Sequence, residues 1–296
     1  MVQEGPEADL RRRAASIEIN QVTKIFRDSR GTSALKALDG ASCSIAPGEF
    51  VCILGPSGCG KSTLLNILSG LDEHYEGSAR IHGRPVREQL SAGFRVGYVF
   101  QEPRLMPWRT VRENIEFVLD ASDFPVSQWQ SKIDRCLALV ELSDFGEFHP
   151  LQLSGGMQQR ASIARAFAIE PDILLMDEPF SALDELTARR LRQQLLTIWM
   201  AYRSTVLFVT HNAFEATFLS DRILMMTKGP GRFCDEIDLK SLPRPRSYED
   251  IQVFDASRNV VRRLFDHVGS LDGEDEARAP AAGSVTLLQN SPRFVP

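Results

Sequence analysis

The sequence predicts an α/β domain in which a mostly parallel core sheet is interrupted by a helical insert. The apolar run Glu49–Leu54 is followed at once by a glycine-rich turn and by the helix-like segment Ser62–Ser69. Farther along, the apolar runs Ile173–Met176 and Val206–Val209 flank the amphipathic segment Leu186–Met200. Alternation of strand, helix and strand is typical of a parallel sheet, so both halves of the chain indicate one fold class.

Residues from about 102 to 160 are predicted to form the helical insert. Two helix-like stretches, Val111–Leu119 and Gln128–Leu142, lie there, and strong strand-like runs are missing after Val96–Phe100. Two earlier segments resemble short strands: Ile17–Ile19 and Ala41–Ile45. The core is therefore expected to begin near residue 16, to be interrupted by the insert and then to resume.

The two ends of the chain are predicted to be mobile extensions of a domain that spans residues 16–268. Residues 1–15 are polar and charged, and residues 269–296 mix acidic residues with alanine, glycine and proline. Such segments cannot bury enough apolar surface to offset the entropy lost on ordering. No function is assigned to either extension.

Composition restricts the classes of partner and the cellular compartment that fit this sequence. Of the 296 residues, 34 are Lys or Arg and 39 are Asp or Glu, so the formal net charge of −5 argues against a nucleic-acid partner. The five cysteines are scattered and form no CxxC pair, which suggests neither a disulfide framework nor a zinc site. No stretch approaches the ~18 consecutive apolar residues that a bilayer span requires. A cytoplasmic protein is expected.

A phosphate-binding loop lies between the predicted strand Glu49–Leu54 and the helix that follows. The segment GPSGCGKS matches GxxxxGK[ST] in the strand-to-helix context that this motif requires. Its glycines allow backbone N–H groups to point at phosphate oxygens, Lys61 supplies a cation for the β and γ phosphates, and the Ser62 hydroxyl can bind Mg²⁺. The candidate nucleotide-binding residues are Gly55, Pro56, Ser57, Gly58, Cys59, Gly60, Lys61, Ser62 and Thr63.

Two adjacent carboxylates follow the apolar run Ile173–Met176. Successive strand side chains point to opposite faces, so Asp177 and Glu178 can serve different partners. Asp177 is interpreted as the Mg²⁺ ligand and Glu178 as the general base that polarises the attacking water. These residues predict nucleotide hydrolysis, but many classes of NTPase share them.

The segment Leu153–Arg160, LSGGMQQR, resembles the signature of the ABC (ATP-binding cassette) family, with Met157 where glutamine is commoner. Ser154 can cap the following helix, and Gly155 and Gly156 can expose backbone N–H groups to an anion. The resemblance implies a P-loop NTPase of ABC type, with an antiparallel β subdomain and an inserted helical subdomain. It also implies that this segment contacts ATP held by a second copy of the chain, so that a homodimer encloses two nucleotides.

Four further residues fit the family pattern. The resemblance implies that Gln101 reaches the Mg²⁺ and the attacking water, and that His211 contacts the γ-phosphate. It places Asp184 against the site of the partner subunit. Phe26 occupies the place of an aromatic residue that stacks on adenine, although a core position in a strand fits it equally well. Asn212, which follows His211, departs from the more usual acidic residue.

The stretch Gln101–Val111 is similar to the surface on which the membrane-spanning permease of the family docks. Prolines beside large apolar side chains suit an exposed groove, although Met106 and Trp108 could instead pack in the core. The whole sequence resembles ATPase subunits of importers for nitrate, sulfonates and taurine, which act with an external solute-binding protein. That resemblance implies a peripheral protein on the cytoplasmic face of the membrane.

Other functional classes make different demands on the sequence. A DNA-repair ABC ATPase would need a long coiled-coil insert, and a translation-type ABC protein would carry two P-loops. Neither feature is present in the sequence. A regulatory or structural cassette that binds ATP with little turnover remains an alternative, although Glu178 and His211 favour hydrolysis.

Overall fold

The computed structural model describes residues 14–28 and 33–276, with side chains as far as His267. Ten strands occur in this part of the chain: β1 (Ile17–Arg27), β2 (Ala34–Ile45), β3 (Phe50–Leu54), β4 (Glu76–Ile81), β5 (Arg84–Pro85), β6 (Val96–Val99), β7 (Ile173–Asp177), β8 (Thr205–Thr210), β9 (Arg222–Met226) and β10 (Phe233–Asp238).

Eight α-helices accompany these strands in the described residues. They are α1 (Lys61–Leu68), α2 (Val86–Ser91), α3 (Val111–Asp120), α4 (Val126–Leu139), α5 (Gly155–Ala168), α6 (Glu185–Tyr202), α7 (Ala213–Leu219) and α8 (Ile251–Glu276). None of the helices among residues 14–28 and 33–276 has the length and hydropathy needed to cross a bilayer.

A six-stranded sheet forms the centre of the molecule, in the order β10-β9-β3-β8-β7-β6. Neighbouring strands from β9 to β6 are parallel, and only β10 at the edge is antiparallel. All residues of β3, β7 and β8 are buried, which explains why these strands are continuous apolar runs in the sequence. The predicted mostly parallel core sheet is confirmed.

A second sheet is antiparallel and has the order β2-β1-β4-β5. The β1–β2 pair is much longer than the two short segments expected from the sequence, and it runs from Ile17 opposite Ile45 to Arg27 opposite Ala34. Charged and polar residues interrupt both strands, so their apolar pattern is weak. The predicted antiparallel β subdomain is present, while its strand lengths come from pairing with neighbours.

The core has two parts, one on each face of the central sheet. Side chains of β3 alternate between them: Phe50, Cys52 and Leu54 face the part that includes α3 to α8. Val51 and Ile53 face the part shared with α1 and the antiparallel sheet. Helices α3 and α4 and the start of α5 lie in the predicted insert, which is therefore helical.

Both predicted domain boundaries differ from the observed elements. Ala15 is fully buried, and its carbonyl accepts a hydrogen bond of 2.7 Å from the Thr205 hydroxyl, so the ordered domain begins before residue 16. Helix α8 continues past residue 268 to Glu276. The mobility expected for residues 1–13 and 277–296 concerns parts of the chain that lie outside the described residues.

Candidate functional site

Four of the predicted site segments meet at one edge of the central sheet. Strands β3, β6, β7 and β8 are mutually parallel, so their carboxyl ends lie on the same side. The P-loop follows β3, and Gln101 follows β6. Asp177 ends β7, and His211 comes directly after β8. Sheet topology thus brings together residues that are up to 156 positions apart, counted from Gly55 to His211.

Glycine is required within the P-loop by its close packing. Gly60 has a φ of +95°, and a Cβ there would lie 2.7 Å from the carbonyl oxygen of Ala37. Gly58 also has a positive φ, of +77°, but a Cβ there would meet nothing within 4 Å. The loop is therefore held against β2 at its helix end, while its tip at Gly58 remains open to a ligand.

The Lys61 side chain turns back over the loop. Its ammonium group donates to the carbonyl oxygens of Gly55 and Pro56, each at 2.9 Å, and the residue is only 5% exposed. The Sγ of Cys59 lies 3.8 Å from the same nitrogen. Burial raises the pKa of the Cys59 thiol, although Lys61 opposes this shift. Cys59 is therefore a buried neutral side chain.

Ser62 and Asp177 meet beneath the loop. The Ser62 hydroxyl donates to the Asp177 carboxylate, and Asp177 is 5% exposed. Burial raises the pKa of Asp177, and the neighbouring charge of Glu178 adds to the shift, while Ser62 and Lys61 oppose it. A desolvated carboxylate beside a hydroxyl provides the oxygen ligands that Mg²⁺ prefers.

Glu178 and His211 form a direct contact between the ends of β7 and β8. The Oε2 of Glu178 lies 3.0 Å from the Nδ1 of His211, and the histidine side chain is 60% exposed. Glu178 has a φ of +43°, in the left-handed region that non-glycine residues rarely adopt. Its backbone N–H donates to the Val209 carbonyl at 3.0 Å. The backbone at the proposed general base is therefore strained by about 1–3 kcal/mol.

Asn212 stabilises the start of α7. Its Oδ1 accepts from the backbone N–H groups of Phe214 and Glu215, at 2.9 and 3.1 Å. An asparagine is as good an N-cap as an aspartate. Although Asn212 departs from the family pattern, it therefore makes the hydrogen bonds that an acidic residue would make at the start of α7.

Gln101 is exposed, and the backbone on either side of it is fastened to α5. The Gln159 amide donates to the Phe100 carbonyl at 3.1 Å. The Arg165 guanidinium donates to the carbonyls of Pro103 and Arg104, at 3.1 and 2.9 Å. The sequence analysis missed both residues, because their partners are backbone atoms about 60 residues away. The helix that begins with the signature therefore holds the Gln101 loop.

The signature segment has the local geometry that the sequence predicts. Ser154 caps α5 and accepts from the Met157 N–H at 3.3 Å. A Cβ at Gly155 would meet nothing within 4 Å, whereas one at Gly156 would lie 3.2 Å from the Leu183 side chain. The N-terminus of α5 thus presents an open backbone surface suited to an anion.

Asp184 caps α6 within this chain. Its Oδ1 accepts from the Thr187 N–H at 3.0 Å, and this hydrogen bond lowers the pKa of the carboxyl. Phe26 is 44% exposed near the end of β1, with the Lys24 ammonium 4.9 Å from its ring centroid. The exposure of Phe26 contradicts the core alternative and leaves its ring accessible to a ligand.

The residues at this sheet edge fit a nucleoside triphosphate with a divalent cation. The open loop tip and Lys61 suit phosphate oxygens, and Ser62 with Asp177 suits Mg²⁺. Glu178 and His211 supply a base and a hydrogen-bonding partner beside them. The arrangement can therefore position water for attack on a terminal phosphate.

Comparisons with known proteins identify relatives of this chain. Residues 38–181 match the family model described as ABC transporter. The aliphatic sulfonates import ATP-binding protein SsuB of Bacillus subtilis is 43% identical over 260 residues, covering 88% of this chain and 97% of that protein. The bicarbonate transport ATP-binding protein CmpD of Synechococcus elongatus is 41% identical, covering 83% and 89%.

A solved structure of similar fold is the dimeric post-hydrolysis state of an ATP-binding cassette bound to ADP and Pi. It is 35% identical, has a TM-score of 0.69, and covers 75% of this chain and 98% of its own. The predicted ABC type of P-loop NTPase fold is confirmed. The SsuB and CmpD relatives are 43% and 41% identical to the chain over most of its length, and the residues of the candidate nucleotide site lie together at one sheet edge. The chain therefore belongs to the ABC transporter family and carries its ATP-hydrolysing cassette.

Proposed function

We propose that this chain energises a bacterial ABC importer for a small anionic or zwitterionic solute such as a sulfonate, taurine, nitrate or bicarbonate. The two relatives named above carry out import of aliphatic sulfonates and transport of bicarbonate, which supports this solute class. An external solute-binding protein and a permease would select the solute. The contact of Glu178 with His211 beside the P-loop is the observation that carries the hydrolytic role.

Within one chain, the residues have separate tasks. Lys61 neutralises charge on the phosphates. Glu178 accepts a proton from the attacking water, whose oxygen bonds to the γ-phosphorus as the bond from that phosphorus to ADP breaks. His211 orients Glu178 through Nδ1 and contacts the γ-phosphate in this proposal. Mg²⁺, held by Ser62, Asp177 and Gln101, would supply a further positive charge at the phosphates.

The signature of a second copy completes each site in this proposal. The open space over Gly155 supports it, because none of the residues that the structure describes occupies that surface. Solved cassettes of the same family are dimeric, which supports a homodimer. Hydrolysis is then tied to closure of the dimer.

The permease is proposed to dock near Gln101–Val111. Trp108 is 73% exposed, so it does not pack in the core. Asn114 of α3 holds the segment by accepting from the Met106 N–H and donating to the carbonyls of Met106 and Arg109. An exposed indole on a rigid loop is suited to anchoring a partner. The ATPase would then lie on the cytoplasmic face of the membrane.

Replacement of the base tests the hydrolytic role. We expect Glu178→Gln to lower ATP turnover by at least about 100-fold, because it removes general-base catalysis while keeping the shape of the side chain. Glu170→Gln, which alters a surface carboxylate paired with Lys132, is the matched control and should retain turnover. Undiminished hydrolysis by Glu178→Gln would refute the role of the base.

Copurification from detergent-solubilised membranes tests the transport role. A tagged chain should retain a transmembrane partner, and Trp108→Ala should weaken that retention. Ile251→Ala removes an equally exposed side chain, 74% accessible, from α8 and should leave retention unchanged. Retention that is absent, or equal in all three proteins, would overturn the proposed docking surface.

A further inference from the structure

An arginine is buried behind the catalytic edge of the sheet. Arg192 lies in the middle of α6 and is 1% exposed. Burial of an unpaired charge costs several kcal/mol, so its partners decide whether the site is tolerable. The hydrolytic mechanism does not use this side chain, and its partners connect two segments that the mechanism does use.

On one side, Arg192 reaches the segment that begins α6. Its Nη2 donates to the Oε1 of Glu185 at 2.8 Å, and its Nε donates to the Ala188 carbonyl at 3.1 Å. Glu185 follows Asp184 directly and is 74% exposed. The guanidinium therefore fixes the first turn of α6 and, with it, the position of Asp184.

On the other side, Arg192 faces a buried carboxylate of α7. Its Nη1 lies 3.9 Å from the Oε1 of Glu215, whose Oε2 accepts from the Thr210 hydroxyl at 2.7 Å. That same Thr210 oxygen accepts from the Asn212 N–H at 3.0 Å. The two residues that bracket His211 are thus held by the carboxylate that Arg192 faces.

An aromatic cluster packs beside Arg192 and Glu215, which are the buried part of this network. The Arg192 guanidinium lies 5.7 Å from the Tyr248 ring centroid, and Tyr248 packs against Phe214 and Phe218. Burial raises the pKa of Glu215, while the Thr210 hydrogen bond and Arg192 oppose that shift. Polar contacts in such surroundings are strong and directional.

The geometry points to Arg192 as a positioning residue that couples the Asp184 segment to His211. The contacts run from Glu185 through Arg192, Glu215 and Thr210 to the backbone around His211, which contacts Glu178. This inference rests on the proposed function, in which Asp184 faces the second copy and His211 assists hydrolysis. Movement of Asp184 on dimer closure would thereby reorient His211 toward the phosphate.

Arginine suits this task better than lysine does. Its rigid fork hydrogen-bonds to Glu185 and Ala188 and still places a third nitrogen 3.9 Å from the Glu215 carboxylate, whereas a lysine ammonium is a single flexible point charge. A purely structural ion pair would need only one of these contacts. Arg192 instead contacts both the segment that follows Asp184 and the carboxylate that holds the backbone around His211. This double contact distinguishes a coupling role from a purely structural ion pair.

The test is a comparison of Glu185→Gln with Glu141→Gln in the full-length chain. Both variants remove the charge of an exposed glutamate that pairs with an arginine of α6, since Glu185 lies 2.8 Å from the buried Arg192 and Glu141 lies 3.5 Å from the exposed Arg190. We expect Glu185→Gln to lower the kcat for ATP hydrolysis about fivefold while KM for ATP stays within about twofold, because nucleotide binding is unaffected. Glu141→Gln should match the parent chain in both constants.

A spectroscopic readout separates coupling from simple destabilisation. The chain has five histidines, so isotope-labelled imidazole signals can be assigned with a His211→Gln variant. The His211 signal should shift in Glu185→Gln and not in Glu141→Gln when both are recorded well below the midpoint of thermal unfolding of either variant. Arg192→Lys should give a kcat between those of the parent chain and Glu185→Gln. Arg192→Met is unsuitable as a test, because it leaves the buried Glu215 without its cation and can prevent folding.

The outcomes distinguish this inference from the proposed function. If the parent chain hydrolyses ATP and Glu178→Gln does not, but Glu185→Gln retains both its kcat and its His211 signal, the coupling role of Arg192 is wrong and the function stands. If Glu178→Gln retains full turnover, the hydrolytic assignment itself has failed. A loss of kcat shared equally by Glu185→Gln and Glu141→Gln would also overturn the coupling.

Discussion

Gly60 of the P-loop and Gly155 of the signature both lie at the start of a helix, yet their surroundings are opposite. A Cβ at Gly60 would lie 2.7 Å from a backbone oxygen of β2, whereas one at Gly155 would meet nothing within 4 Å. The chain's own packing therefore requires the first glycine. Packing among the described residues does not require the second, as expected of a surface that another molecule approaches.

The two loops also differ in their carboxylates. Asp177, behind the P-loop, is buried and has a raised pKa, whereas Asp184, beside the signature, is exposed and has a lowered pKa. The P-loop half of the site is formed within one chain, and burial of the Asp177 carboxylate there is unfavourable for its charged form. The other half is locally relaxed and open, as expected of a surface that functions against a second copy.

The largest effect is expected from Gly60→Ala. The left-handed backbone and the contact with Ala37 together should reduce the free energy of unfolding by roughly 3 kcal/mol. Gly58→Ala is the matched control, because it has the same sign of φ but open space, and should cost only about 1 kcal/mol. Chemical denaturation without nucleotide measures both, and equal losses would contradict the packing argument.

Gly155→Ala should separate activity from stability. The added methyl group meets no atom within 4 Å in the described part of the chain, and alanine is favoured over glycine in a helix. The free energy of unfolding should therefore stay the same or rise by up to about 1 kcal/mol. ATP turnover should fall at least about tenfold, equivalent to 1.4 kcal/mol, because the methyl group obstructs a nucleotide held by the partner. Normal turnover would show that this surface does not approach a ligand.

Asp177→Asn should stabilise the nucleotide-free chain at neutral pH. The raised pKa means that the folded protein holds this proton more tightly than the unfolded chain does, so stability is lost as pH rises from the unfolded to the folded pKa. Asparagine carries no charge and so avoids this loss in the free energy of unfolding. The advantage of the variant over the parent chain should vanish below about pH 4, where the parent carboxyl is protonated in both the folded and the unfolded state. Thermal unfolding across pH measures it.

Asp184→Asn is the control for this pH dependence. The lowered pKa of Asp184 stabilises the folded chain above the ordinary aspartate value, and this contribution disappears as pH falls through the folded pKa. The substitution should therefore bring no stabilisation at neutral pH. A gain equal to that of Asp177→Asn would contradict the contrast between the two carboxylates.

Phe26→Leu should have the smallest effect. Because the ring is partly exposed, loss of stability should be within about 0.5 kcal/mol, while KM for ATP should rise about threefold if the ring stacks on adenine. Phe26→Tyr keeps an aromatic face and should retain the parent KM. Equal KM values for all three proteins would remove Phe26 from the nucleotide site.

Much of the fold could be predicted because its signals are local. The β3 run, the glycine turn and α1 are contiguous, and Ser154 caps α5 as its position before the glycines indicates. Strands β4, β9 and β10 and the terminal helix α8 escaped prediction. Their sequences alternate weakly, and their conformation depends on the strands and helices against which they pack.

The sequence by itself determined the phosphate loop, the acidic pair and the signature, because each is a short pattern whose chemistry follows from neighbouring residues. Only the tertiary structure decided that Glu178 meets His211 at 3.0 Å and that Arg192 is buried between Glu185 and Glu215. Those contacts depend on the order and register of parallel strands. Residues far apart in the chain meet only after that sheet has formed, and no local pattern encodes the meeting.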